Sequence, residues 1–385
     1  MIILLVVGVF MTAGFVWLLR VTSGIESSFG PGAQFRQFLN NAIGKIFPSN
    51  LIGYEILLPF IFSWLALFAA VAVHELGHLL AGVATRFRLL YVQLGRVQIR
   101  PPFHVKWRRK GLPGATGFTA MVPADARKLR LRALIMLFGG PAANLITVLP
   151  LAFLPSHHSL FASWFIVISV AVGLLNLLPF RSMAVISDGK RILMLLRNSR
   201  QGERWLALLQ LVNDLRSGVD HEQLNPEFVA IATAVQDDSP DTVSAHTIAF
   251  SAAFEKHDDP EAARLLEICL RHSGCVGPAL REAAFLNAAI FQAERRKHAD
   301  LAEQWLTELP AKSLFPQSRL NAQGAILQTR GDIPGALKKL DESEAMVLRL
   351  PPSPRREASL RSLQKWRAEL QAMQSPAVEA THSLS

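Results

Sequence analysis

Residues 68–84 read FAAVAVHELGHLLAGVA, an apolar stretch that carries ionisable side chains at its centre. His74, Glu75 and His78 are the only ionisable residues between positions 56 and 84. Residues four apart share one face of a helix, so both imidazoles can reach one metal ion while Glu75 lies beside it. Ionisable groups at membrane depth are costly and rare. The stretch therefore predicts a membrane helix with a metal site.

Four apolar segments reach the roughly 20 residues that a helix needs to cross a bilayer. They cover residues 1–19, 52–84, 133–154 and 159–180. The first has neither a basic start nor a small-residue cleavage site, which favours a retained helix over a signal peptide. The expected fold is therefore an all-α polytopic membrane protein.

Charge predicts how the chain is oriented. Residues 85–132 contain twelve Lys and Arg but one acid, Asp125, so the positive-inside rule places this loop in the cytoplasm. His74 and His78 then lie near the cytoplasmic face, and the chain from residue 190 onward is cytoplasmic. Basic residues that follow the first span favour the opposite orientation for that helix alone. Topology and anionic lipid explain the net charge of +10 without nucleic acid.

The polar half, residues 196–350, predicts a cytoplasmic helical domain. Apolar residues recur at helical spacing in the segments 201–216, 245–256, 261–271, 279–297, 299–309, 318–329 and 333–348. Residues 257–262 resemble residues 331–336. We place Ala299-Asp300-Leu301 at the equivalent point between two helices. Degenerate tetratricopeptide-like hairpins and a generic helical bundle both fit this pattern. Residues 351–385 predict a basic helix and a tail.

A catalytic zinc needs three protein ligands and one open position, so a third ligand must join the two histidines. Asp188 follows the fourth span in Ser187-Asp188-Gly189 and can be a ligand or part of a turn. Asp125 is a rival that can equally cap a helix at Arg127. In the third span, residues 139–144 read GGPAAN. The small residues predict close packing against another helix. The amide of Asn144 needs a hydrogen-bond partner, because a buried unpaired amide is costly.

HELGH in one span, GGPAAN in the next and NLLP…SDG after the last resemble the site-2 protease family of intramembrane zinc metalloproteases. The resemblance covers residues 52–195 and implies a three-helix core with one Zn2+ per chain. It implies that the zinc ligands are His74, His78 and Asp188. It further implies that Glu75 is the general base, that Asn176 stabilises the reacting carbonyl and that Asn144 lies on the substrate path.

The spacing of the last motif departs from the family pattern NxxPxxxLDG. Asp188 lies twelve positions after Asn176 instead of eight. The extra residues amount to one helical turn or a small loop. Residues 89–95 and 117–123 have strand-like composition, and relatives place a small membrane-associated sheet there; an ordinary hairpin is the alternative.

The expected function is intramembrane proteolysis by a multi-pass cell-membrane enzyme. It would cut a transmembrane protein substrate and release a soluble fragment, with the helical domain as a site for protein partners. The alternative is a catalytically silent scaffold that presents the helical domain. A zinc transporter would need polar residues along several spans, and only the region around His74 supplies them.

Overall fold

The computed structural model describes residues 57–101, 103–107, 117–152, 160–181 and 186–374. These ranges contain thirteen α-helices and one small antiparallel sheet. They form two compact units that divide between Arg197 and Asn198. The predicted first span, residues 1–19, and the tail after residue 374 lie outside the described residues.

Three helices of the first unit are long and apolar enough to cross a membrane. They are α1 (Leu57–Ala84), α2 (Leu129–Ala152) and α3 (Leu160–Leu177). Helix α2 begins four residues before the predicted span, and its first turns include Arg130 and Arg132. Both guanidinium groups donate to backbone carbonyls, Arg132 to Thr85 and Arg130 to Leu195. These bonds allow charged residues to extend an apolar helix.

Helices α1 and α2 approach each other through glycine. A Cβ atom on Gly77 would lie 2.2 Å from the carbonyl oxygen of Gly139, and one on Gly139 would lie 2.5 Å from that of Gly77. The two backbones are therefore in direct contact at the centre of the HELGH motif. Small residues permit this approach between membrane helices, which confirms the packing role expected for the glycines at 139 and 140.

The sheet lies between α1 and α2 in the chain. Its strands are β1 (Phe87–Leu94), β2 (Val97–Arg100), β3 (His104–Trp107) and β4 (Gly117–Pro123), in the order β3-β2-β1-β4. The two segments predicted as strands are confirmed as β1 and β4. They pair antiparallel, with Val92 opposite Thr119, and both pack against α1. The result is a four-stranded sheet rather than a single hairpin.

Helix α4 (Asp188–Leu196) completes the first unit and packs against α2 and α3. Before it, Arg181 and Ile186 form an isolated antiparallel bridge. Residues 182–185, between the two bridging residues, lie outside the described residues, and so do the two alternatives for the longer spacer, a small loop or an added helical turn.

The second unit is built from consecutive pairs of helices. Its nine α-helices are α5 (Arg200–Arg216), α6 (Pro226–Thr233), α7 (Pro240–Glu255), α8 (Asp259–His272), α9 (Pro278–Glu294), α10 (Ala299–Thr307), α11 (Pro316–Thr329), α12 (Ile333–Leu348) and α13 (Pro354–Gln374). Each odd-numbered helix from α5 to α11 packs against the helix that follows it. Fully buried alanines on α9, α11 and α12 let the helices lie close together.

The turn inside each pair has one residue with a positive φ. These residues are Gly218, His257, Lys297 and Gly331, at intervals of 39, 40 and 34 positions. The residue after His257, Lys297 and Gly331 is the N-cap of the next helix: Asp258, His298 and Asp332. The expected echo between 257–262 and 331–336 is therefore a repeated turn. The equivalence drawn for Asp300 was wrong by two positions, because Asp300 lies in the first turn of α10 and His298 caps it.

Candidate metal centre

Two ring nitrogens and one carboxylate oxygen converge between α1 and α4. His74 Nε2 lies 3.1 Å from His78 Nε2 and 3.1 Å from Asp188 Oδ2. The remaining side of the triangle, His78 Nε2 to Asp188 Oδ2, is 3.3 Å. No other set of three metal-binding side chains converges in this way within the described ranges. The structure thus brings together the three residues that the resemblance implied as ligands.

The dimensions of this triangle suit one zinc ion. A tetrahedral zinc with bonds of about 2.0–2.1 Å to nitrogen and oxygen holds its ligand atoms about 3.3–3.4 Å apart. The measured separations of 3.1–3.3 Å are within a few tenths of an ångström of that value. Two histidines and one carboxylate also form a known catalytic zinc set that leaves a fourth position for water.

His78 is oriented by helix α2. Its Nδ1 donates to the carbonyl oxygen of Met136 at 2.9 Å, which turns Nε2 towards His74 and Asp188. Gly140 provides the space for the ring, because a Cβ atom there would lie 2.3 Å from His78 Nε2. The close packing of α1 on α2 therefore sets the tautomer and the position of one ligand.

Asp188 is positioned by the turn that begins α4. The Ser187 hydroxyl caps the helix by accepting from the backbone N–H of Lys190, and it donates to the carbonyl of Leu178 at the end of α3. A Cβ atom on Gly189 would lie 1.9 Å from the carbonyl oxygen of Leu177. Position 189 therefore needs glycine because the start of α4 packs closely against α3. The sequence had suggested a different reason, a backbone conformation that other residues avoid. These contacts hold Asp188 beside the end of a membrane helix.

Asp188 is a carboxylate at neutral pH. Burial raises the pKa of its carboxyl group, but the contacts with His74 and His78 outweigh burial and hold the pKa at about 2. A carboxylate is the form that binds a metal ion.

Glu75 lies beside the cluster and is not one of the converging ligands. It is 6% exposed and interacts electrostatically with all three of them. Strand β4 supplies its hydrogen bond, because Thr119 Oγ1 donates to Glu75 Oε2 at 2.6 Å. A buried carboxylate next to a metal site and outside its ligand set is placed as a general base is placed in zinc peptidases.

The other predicted site residues lie elsewhere. Asn144 is fully buried and donates to the carbonyl of Ala70, one turn before His74. Asn176 is half-buried and donates to Val172 within its own helix. Their roles with substrate stay predictions. Asp125 accepts from the Arg127 N–H and from Arg132 and lies outside the cluster, so it is not the third ligand. The predicted cap of a helix at Arg127 was also wrong, because α2 begins only at Leu129 and Asp125 closes a turn before it.

Sequence reasoning missed Thr119 and the carbonyl of Met136. They lie 44 and 58 positions from the side chains that they contact, and no local pattern marks either. No family model, curated protein or solved structure shows a significant match to this chain. The chemistry of the site therefore follows from its own residues.

Proposed function

We propose that this chain is an intramembrane zinc endopeptidase of the site-2 protease type. It hydrolyses a peptide bond within or near a transmembrane segment of a membrane-protein substrate and releases a soluble fragment. The supporting observation is the triangle of His74, His78 and Asp188, sized for one zinc ion, with the carboxylate of Glu75 beside it. The triangle belongs to a unit whose three long helices are apolar enough to cross a membrane.

The chemistry divides among the side chains of this site. A zinc ion held by the three ligands supplies a nucleophilic water at neutral pH and polarises the scissile carbonyl. Glu75 takes the proton of the attacking water and returns it to the leaving amine nitrogen. Oε1 suits this task, because Oε2 is occupied by Thr119 and Oε1 has no hydrogen bond to any described residue. Asn176 can stabilise the reacting carbonyl once its amide leaves Val172.

The cut is proposed to lie near the cytoplasmic end of the substrate helix. The multi-pass topology and cytoplasmic second unit rest on the twelve basic residues between positions 85 and 132. The substrate is proposed to reach the site in extended form, because peptide carbonyls in a helix are already hydrogen-bonded.

The second unit is proposed to bind protein partners through tetratricopeptide-like helical pairs. The repeated left-handed turn before successive N-caps supports this role. It also supports the alternative in which the chain is a silent scaffold and the helical unit is its working part. The protease and scaffold hypotheses differ in whether the candidate metal centre cleaves a substrate.

Replacement of Glu75 by Gln tests the proposal. Purified wild-type and Glu75→Gln proteins, each loaded with zinc, are incubated with membranes, and new peptide termini are identified by mass spectrometry. The wild type should generate termini within transmembrane segments, and Glu75→Gln should generate them at least about 100-fold more slowly, the lower end of what a general base contributes. Equal cleavage by both proteins contradicts the mechanism. No cleavage by either, with one zinc bound to each, favours the scaffold.

A further inference from the structure

Strand β4 reaches the metal centre at Glu75. The hydroxyl of Thr119 lies 2.6 Å from Glu75 Oε2 and 3.2 Å from the Glu75 backbone carbonyl oxygen. Beside it, Gly117 lies so close to α1 that a Cβ atom would be 2.5 Å from Glu75 Oε1 and 2.6 Å from a methyl carbon of Val71. Two residues of one strand thus confine both carboxylate oxygens.

The position of Thr119 is fixed by the sheet. Thr119 pairs with Val92 of β1, and the β1–β4 ladder continues from Phe87 opposite Pro123 to Leu94 opposite Gly117. Met121 on the same strand packs into the space left by Gly82 of α1. The hydroxyl is therefore held by backbone pairing on one side and by side-chain packing on the other.

A glutamate next to two converging imidazoles has two possible positions. Its carboxylate can stand beside the metal and exchange a proton, or it can swing onto the metal and occupy the position that water needs. A glutamate side chain has several rotatable bonds, so burial alone does not choose between these positions. A short hydrogen bond to a carboxylate oxygen favours one of the two positions, because hydrogen bonds to a charged group are roughly twice as strong as neutral ones.

We propose that Thr119 is a positioning residue that holds the Glu75 carboxylate beside the metal and off it. The hydrogen bond to Oε2 keeps this oxygen turned towards β4, and Oε1 remains for proton transfer. The catalytic role of Glu75 belongs to the proposed function, on which this inference rests. The dependence of that role on a hydroxyl 44 positions away in the chain is new.

Cobalt substitution tests the inference independently of proteolysis, since the visible absorption of Co2+ weakens markedly when four-coordinate geometry becomes five-coordinate. Thr119→Val keeps the shape of the side chain and removes the hydroxyl. With one Co2+ bound per chain, the Thr119→Val protein should have weaker visible absorption bands than the wild type and Thr119→Ser, because Glu75 becomes an additional ligand. The same change in a Glu75→Gln background should leave the bands unaltered. Thr147→Val is the matched control, because that hydroxyl bonds only to carbonyls of its own helix.

Kinetics provide the second readout. With zinc, Thr119→Val should lower kcat at least about tenfold with KM unchanged, and Thr119→Ser should retain most of kcat. The inference is overturned if the Thr119→Val protein has the cobalt spectrum of the wild type. It is also overturned if Thr119→Val changes the spectrum equally in a Glu75→Gln background. If the wild type cleaves nothing, the proposed function fails, and the cobalt spectra still decide the role of Thr119.

Discussion

Gly140 leaves the space that the His78 imidazole fills. With Cβ 2.3 Å from His78 Nε2, alanine at this position must displace the ring from the ligand triangle or push α2 away from α1. Because shifts in the groups that orient a ligand cost about 10–100-fold in metal affinity, Gly140→Ala should weaken zinc binding by about that factor.

A competition titration with a zinc chelator measures this effect. Gly274→Ala is the control, because no described atom lies within 4 Å of the added carbon and its φ is ordinary. Unchanged zinc affinity in Gly140→Ala would show that the His78 ring does not need this space.

A sequence predicts contacts between residues that are close together in the chain far better than contacts between residues that are far apart in it. His74 and His78 follow from four-residue spacing on a helix, and their convergence on a metal-sized site required no knowledge of the fold. Asp188 needed a motif, since chemistry alone left it as ligand or turn. Thr119 and Gly140 could not be predicted, because contacts across 44 and 62 positions depend on how β4 and α2 pack on α1.

Short-range contacts tie the start of α4 to the end of α3. Arg181 and Ile186 pair in an antiparallel bridge, and the Ser187 hydroxyl donates to the carbonyl of Leu178. These contacts hold Asp188 beside the histidines although it lies twelve positions after Asn176 in the chain.

An ion pair between a buried arginine and a half-buried aspartate joins α5 to the turn before α7 in the helical unit. Arg204 is 1% exposed and donates to both carboxylate oxygens of Asp237 at 2.9 and 3.2 Å. Burial raises the pKa of Asp237, but hydrogen bonds from Arg204, Ser239 and Thr242 outweigh burial and hold the pKa at about 2. The unfolded value is about 3.9, so the carboxylate stabilises the folded state above pH 4, and this contribution is lost as pH falls through 2.

Asp237→Asn should therefore lower stability by about 1 kcal/mol at pH 7, less than the full pKa shift implies, because the Asp237 side chain is 30% exposed and solvent screens the pair. Thermal unfolding of the full-length protein, followed by circular dichroism, should give a lower Tm for the variant at neutral pH. The two Tm values should converge as pH falls towards 2, since the wild type loses there what the variant already lacks. Glu308→Gln is the control, because the Glu308 side chain is exposed and makes no hydrogen bond or ion pair with the described residues. A gap in Tm that is as wide at pH 2 as at pH 7 would contradict this assignment.

Periodicity, with Pro and Gly in the gaps, predicted the positions of most helices in the polar half. Five predicted segments lie within two residues of the observed helices at each end: 201–216, 261–271, 299–309, 318–329 and 333–348. The segment 279–297 runs three residues past the end of α9, and 245–256 starts five residues after the start of α7. Helix α6 was missed, since eight residues supply too few turns for a clear period. Strands β2 and β3 were missed too, because four residues each are too short to show alternation.

The molecule combines an apolar unit that carries the cluster of His74, His78 and Asp188 with a polar helical unit in whose described residues no comparable cluster occurs. Glu75 and its hydrogen-bond partner Thr119 belong to the apolar unit as well. Composition predicted this division, because apolar residues concentrate before position 181 and periodic polar helices follow. Side-chain pattern alone does not specify partners, so the role of the helical unit rests on its repeated turns.

X-ray absorption at the zinc edge of the purified protein tests directly whether His74, His78 and Asp188 hold one zinc ion. We expect one zinc per chain with four nitrogen or oxygen neighbours at about 2.0–2.1 Å and scattering from two imidazole rings. Sulfur neighbours near 2.3 Å, a single imidazole, or a protein that purifies and reloads without stoichiometric zinc would contradict it.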